Sequence, residues 1–250
     1  MSVMEDAPPV APSRRRPSAW AWLVAFSAVL VGGLVLAVGV WWATSHETRI
    51  TSYAVQGSLA GVELDMGAAD VELVGGGQGA LEVRRTDRFT FDHPSVERRS
   101  VANGVLRIGL ACPKTVPSNC RVAYRVAVPD NVPVTVRTST GAVRVGELRA
   151  SAGIQTDSGD VTVDAFCGFQ LSARSRAGDV SANTGCSPER MELRSGDGDV
   201  RAVVPRGRYR VDAVSDAGHQ RVRGLTVTDD APFLVQALST RGSVEVQGGP

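Results

Sequence analysis

The chain has 250 residues, a formal net charge of +1 and 43% hydrophobic residues, enough to bury the core of one or two domains. From His46 onward basic and acidic residues balance at 24 each, which excludes the basic excess expected of a nucleic-acid binder. Lys114 is the one lysine, so positive charge rests almost wholly on arginine.

Residues 1–17 carry Pro8, Pro9, Pro12 and Pro17 and are too short and too proline-rich to fold, so they read as a disordered tail. Residues 18–44 read as a transmembrane helix. Its centre, Ala19 to Ala43, has no charge, and such a helix would be roughly 37 Å long against a hydrocarbon core of about 30 Å. Trp20 and Trp22 mark one end and Trp41 and Trp42 the other, as indole rings do at the two headgroup boundaries. Arg14, Arg15 and Arg16 precede the span and no basic cluster follows it, which orients the N-terminus toward the cytoplasm and the rest of the chain outside. A cleaved signal peptide is the competing reading, but its apolar region is usually shorter, and Trp41-Trp42-Ala43-Thr44-Ser45 is a poor cleavage context.

Residues 45–128 alternate apolar and polar side chains in several short runs, including Val62-Glu63-Leu64, Val71-Glu72-Leu73 and Val122-Ala123-Tyr124-Arg125-Val126. They read as irregular strands that start a stack. Over residues 129–250 the motif Ser/Thr-x-x-Gly recurs with glycines at Gly141, Gly159, Gly178, Gly198, Gly218 and Gly242, spaced 18, 19, 20, 20 and 24 residues apart. Apolar positions alternate on both sides of each glycine, most clearly at Val143 and Val145 and at Val161 and Val163. Units of this size cannot bury an apolar face singly, so the pattern predicts an all-β solenoid, each strand resting on its equivalent in the preceding unit. Stacking in chain order would leave the C-terminal strand as an open edge, through which copies of the chain could self-assemble.

Val128-Pro129-Asp130-Asn131-Val132-Pro133, followed by Thr138-Ser139-Thr140-Gly141 and repeated Gly-Asp-Val units, resembles a bacterial family of β-strand-repeat proteins described as candidate adhesin domains of unknown function. The resemblance covers about residues 50–250 and is strongest from 126 to 204. It implies an extracytoplasmic β-solenoid, often on a membrane anchor and sometimes associated with envelope-stress genes. Gly218-His219-Gln220 departs from the Gly-Asp-Val pattern, and the last interval lengthens.

Cys167 and Cys186 lie one repeat interval apart, so they should sit on adjacent rungs about 4.8 Å apart and form a disulfide. Cys112 and Cys120 would then pair across the loop between them. A zinc site is the rival, but the short Cys-x2–4-Cys pairs that zinc favours are missing. Asp160, Asp179 and Asp199 take one repeat position and would form a ladder, a candidate calcium site or the acid cluster of a glycan-cleaving β-helix. The simpler reading is that aspartate suits the turn. The three histidines, His46, His93 and His219, stand in no nucleophile motif. No catalytic residue and no cofactor is expected. Function therefore reads as a non-catalytic, membrane-anchored module that binds an envelope protein or polymer.

Overall fold

The structure, a computed structural model, describes residues 19–44, 46–77, 79–90, 95–111 and 121–249. The proline-rich tail with Arg14 to Arg16, His93, and the Cys112–Cys120 pair lie outside these residues. The chain divides into two compact units, one ending at His46 and the other beginning at Glu47.

The first unit holds α1 (Ala19–Thr44), a 26-residue helix about 39 Å long by its rise. Its stretch Trp22–Trp41 is long and apolar enough to cross a membrane, and its described side chains stand exposed. Trp20 and Trp22 lie in its first turns, Trp41 and Trp42 in its last.

The second unit is all β. Its strands in chain order are β1 (His46–Val55), β2 (Gly61–Gly77), β3 (Leu81–Thr90), β4 (Val96–Ala102), β5 (Val105–Ala111), β6 (Arg121–Pro129), β7 (Val134–Thr140) and β8 (Val143–Gly146). Then follow β9 (Ala152–Ser158), β10 (Val161–Phe166), β11 (Gln170–Ala177), β12 (Val180–Thr184), β13 (Arg190–Asp197) and β14 (Val200–Val204). The last are β15 (Arg208–Ser215), β16 (Gln220–Arg223), β17 (Thr226–Val227), β18 (Phe233–Ser239) and β19 (Val244–Gly248).

Each repeat contributes one strand before its glycine to a first face and one strand after it to a second. On the first face β7, β9, β11 and β13 pair in parallel, with Thr138, Thr156, Ser175 and Ser195 in one register. On the second, β8, β10, β12 and β14 pair in parallel, with Val143, Val161, Val180 and Val200 aligned. β2 serves both faces as one continuous strand: its first half lies between β5 and β7, its second between β6 and β8. Valine, leucine and alanine at alternate positions point between the faces, so Val136, Ile154, Ala173, Leu193, Val145, Val163, Ala182 and Ala202 form one continuous buried core. Burial of each such valine or leucine removes enough apolar surface to contribute about 1.5–3 kcal/mol, which no isolated coil could collect.

The order of coils departs from chain order at the C-terminal end. The coil β18–β19 pairs with β13–β14 on one side and with β15–β16 on the other, so the final repeat inserts between its two predecessors. The expected open edge at the C-terminal strand is therefore corrected: the end of the stack is β15–β16, with β17 beside the start of β15. The inward positions supply the reason. Val235, Ala237, Val244 and Val246 are fully buried, whereas β16 offers only Val222 among Gln220, Arg221 and Arg223, and all four are exposed. A strand with one apolar residue costs less at an edge than between two neighbours. The longer last interval provides the chain needed to step over this coil. At the opposite end, β3 and β4 pair antiparallel to β6 and β5 and β1 pairs with β3, closing that end with strands of different direction.

The turns allow almost no space between coils. A Cβ on Gly242 would meet the Gly198 carbonyl oxygen at 2.1 Å, and one on Gly159 would meet that of Gly141 at 2.2 Å. A Cβ on Gly146, a strand glycine, meets nothing within 4 Å. Gly242→Ala should therefore destabilise the fold by about 2 kcal/mol or more, while Gly146→Ala should stay within about 0.5 kcal/mol. Thermal unfolding of the two variants beside the parent chain measures both.

Candidate functional site

The repeated turn is the first place where a function could reside, because it gathers hydroxyls and carboxylates in rows. Each hydroxyl is engaged with the neighbouring coil. Ser175 Oγ donates to the Gly159 carbonyl at 2.9 Å, Ser195 Oγ to Gly178 at 2.8 Å, Ser239 Oγ to Gly198 at 2.7 Å and Ser215 Oγ to Gly242 at 2.8 Å. In the first coils Thr138 Oγ1 donates to Thr156 Oγ1 at 3.0 Å. Thr138, Thr156, Ser175, Ser195 and Ser239 are buried.

The acids reach the other way. Asp160 Oδ1 accepts the Asp179 amide at 2.9 Å, Asp179 Oδ1 accepts the Asp199 amide at 2.8 Å, and Asp199 Oδ1 accepts the Ser243 amide at 2.7 Å. Asp70 opens the row by accepting the Ala142 amide at 2.9 Å, and Ser243 Oγ ends it by accepting the His219 amide at 3.3 Å. Gly141, Gly159, Gly178, Gly198, Gly242 and Gly218 form a column in that spatial order, each packed where a Cβ would strike the carbonyl before it. The chemistry of this row is backbone capping. Asp160, Asp179 and Asp199 lie one coil apart, and among the described residues no group of three or more His, Cys, Asp or Glu side chains converges in a way that could hold a metal ion. His219 stands exposed in its turn, and His46 opens β1.

Cys167 and Cys186 are joined by a disulfide between adjacent coils, with Cα atoms 4.8 Å apart. The backbone around them shares the same stitching: the Cys167 amide donates to Leu148 O at 2.8 Å and the Gly185 amide to Phe166 O at 3.0 Å.

A second cluster lies at the closed end of the stack, and sequence reasoning missed it. Arg85 and Asp87 continue the inward parity of Leu81 and Val83 along β3, so both are buried. Arg85 Nη2 donates to Asp87 Oδ1 at 2.8 Å and to the Ser95 carbonyl at 2.6 Å, and Ser95 Oγ donates to Asp87 Oδ1 at 2.5 Å. Glu97, from β4, accepts the Tyr53 hydroxyl at 2.8 Å, the Tyr124 hydroxyl at 2.7 Å and Arg85 Nη1 at 3.5 Å. Arg99 Nε lies 3.0 Å from the same carboxylate and its guanidinium 4.1 Å from the centre of the Tyr53 ring. This arrangement ties β1, β3, β4 and β6 together through one carboxylate. The signal was present in the sequence, because charged residues occupied positions that alternation assigns to the core.

Burial opposes the charge on Arg85, yet its hydrogen bond to Asp87 and the neighbouring acids hold its pKa above the ordinary value. Tyr53 and Tyr124 are pushed well above the ordinary 10.0, first by burial, then by hydrogen bonding to Glu97 and repulsion from its charge. The cluster has no histidine, and its Ser95 hydroxyl is buried and committed to Asp87. Its contacts hold the strands of this end together.

Residues 126–245 match the Toastrack DUF4097 family model. The repeat domain belongs to the Toastrack family. No curated protein matches the chain. Among solved structures, the chain is similar to a candidate cell adhesion protein from Clostridium sporogenes, with a TM-score of 0.52 and 11% identity over 81% of this chain and 100% of that one. It is also similar to a candidate adhesin from Bacteroides fragilis, with a TM-score of 0.46 and 12% identity over 80% of this chain and 97% of that one. The first similarity establishes the solenoid-like all-β fold that the Toastrack domain shares.

Two predictions follow from these contacts. Unfolded tyrosines lose their protons as pH passes about 10, whereas Tyr53 and Tyr124 keep theirs in the fold. Stability is thus full below that pH and falls above it, and Tyr53→Phe with Tyr124→Phe should flatten the fall in urea titrations run from pH 8 to 11. Replacing Cys167 and Cys186 together by serine removes a cross-link spanning 19 residues, which should lower stability by about 3 kcal/mol in the loop-entropy model; the same titrations at neutral pH report it.

Proposed function

We propose that this Toastrack protein is a single-pass membrane protein whose repeat domain lies outside the cytoplasm and acts as a non-catalytic binding or scaffold module. One observation carries the reading: the serines and aspartates that recur through the repeats are spent on capping the backbone of neighbouring coils. The outward side chains instead form two ruled faces in strand register, the kind of surface that engages an extended envelope protein or polymer. The helix Ala19–Thr44 supports anchoring by its length and uninterrupted apolarity, and Arg14, Arg15 and Arg16 before it support a cytoplasmic N-terminus. The name of the Clostridium structure supports a surface role by similarity of fold.

A second reading is self-assembly, and one observation favours it. The edge β15–β16 ends the stack with partly exposed Val214 and Val222 and with β16 backbone groups paired on one side only. Edge-to-edge pairing would extend the sheet from one copy to the next.

Protease treatment of intact cells making the full chain, tagged at both ends, tests the leading reading. The C-terminal tag should be lost while the N-terminal tag stays on a membrane-bound fragment. A C-terminal tag that survives until lysis, or an N-terminal tag separated from a released repeat domain, would overturn it.

A further inference from the structure

Several outward arginines of the repeat domain have a carboxylate across the strand gap: Arg107 with Glu63, Arg174 with Glu192, Arg176 with Asp157, Arg223 with Glu245 and Arg241 with Asp197. In one region arginine faces arginine instead. On the second face, Arg84 stands directly opposite Arg125 and Arg88 directly opposite Arg121, on antiparallel strands β3 and β6. Continuing the row from Arg125, Glu72 comes next and then Arg144. Glu72 reaches Arg125 at 3.5 Å, and among the described residues Arg84, Arg88, Arg121 and Arg144 form no ion pair. Of the nearby acids, Asp70 is committed to the Ala142 amide, and Glu82 lies two residues before Arg84 without bridging to it. Like charges placed directly opposite on neighbouring strands destabilise a sheet. Here Arg84 and Arg125 of one such pair and Arg88 of the other line a concavity of about 400 Å³, together with Thr86, Arg144 and the acids Asp70 and Glu72.

We infer that this concavity is a binding site for the phosphate groups of anionic phospholipid headgroups. Guanidinium forks match phosphate oxygens in geometry and charge, and Thr86 adds a hydroxyl between the two arginine pairs. A single phosphate would engage only part of the cluster, whereas a surface of phosphodiesters can satisfy adjacent pairs together. β3, which carries Arg84 and Arg88, pairs with β1, and β1 begins two residues after α1 ends. The lipid source rests on the anchored reading above, since a domain tethered to a membrane stays beside lipid phosphates, which guanidinium groups bind.

The full chain in neutral maltoside micelles, titrated calorimetrically with dihexanoyl phosphatidylglycerol, should bind more tightly than with dihexanoyl phosphatidylcholine, and more weakly as salt rises. Arg84→Gln with Arg125→Gln should weaken binding roughly tenfold, the loss of about one charge-assisted contact. Arg107→Gln, on the first face, should leave it unchanged. Glu72→Gln should tighten binding, a gain that misfolding cannot produce. Equal affinity for inorganic phosphate would overturn the lipid assignment in favour of a free-anion site, and binding of poly(glycerol phosphate) without phosphatidylglycerol would overturn it in favour of a polymer. Equal response to both lipids would remove the site altogether. The titration reads only the arginine cluster, so its failure is separable from failure of the anchor, which the tagged-cell experiment reports.

Discussion

The close approach of one coil's turn backbone to the next is the constraint on which this domain depends. Parallel strands stack at about 4.8 Å, and at the corner between the two faces that spacing leaves no volume for a side chain pointing along the stack. A Cβ on Gly178, for example, would lie 2.4 Å from the Gly159 carbonyl oxygen. Glycine at each corner therefore permits the register, and the register in turn aligns every inward valine, leucine and alanine. The hydroxyl three residues before the glycine and, after Gly159, Gly178, Gly198 and Gly242, the following acid or serine then satisfy polar groups that the tight corner would otherwise bury unpaired. The column of glycines, the column of hydroxyls and the row of aspartates are thus one device seen from three residue types.

The two ends of the stack solve different problems. At one, antiparallel strands β3 and β4 break the parallel rule, and a buried arginine, two tyrosines and a shared carboxylate lock them in place. Breaking such a buried charge network by removing one partner is costly, because it strands the others without solvent. At the other end the chain places its most polar coil outermost, where Arg221 and Arg223 meet water. Arginines on an edge strand limit which strands can pair with it, so this end is selective by charge where the other is sealed by a network. What remains available for recognition is the pair of long faces, crossed by several salt bridges and by the arginines of β3 and β6 that stand opposite one another.

Much of this was legible beforehand in particular residues. Gly159, Gly178 and Gly198 marked the corners, Val161 and Val180 marked strands in register, and the interval of 19 residues between Cys167 and Cys186 predicted their meeting. The buried Arg85–Asp87–Glu97 group was harder to see, because Glu97 and Arg85 come from separate strands and only their shared parity with apolar neighbours hinted at burial. The aspartates were recognised as a ladder, but their function as forward caps depends on which amide faces them, a matter of geometry between coils.

Local pattern determined the class of fold, because alternation and glycine spacing act within one coil and repeat in the next. The same pattern could not determine which coil lies beside which, since Ser215 and Ser239 begin equivalent Ser-x-x-Gly motifs, yet in the fold it is Ser239 that reaches the Gly198 carbonyl. Only the tertiary structure decided that β18–β19 sits inside and β15–β16 outside. The choice belongs to the whole stack: it buries Val244 and Val246 and leaves Arg221 and Arg223 solvated, a comparison between distant segments that neither segment encodes alone.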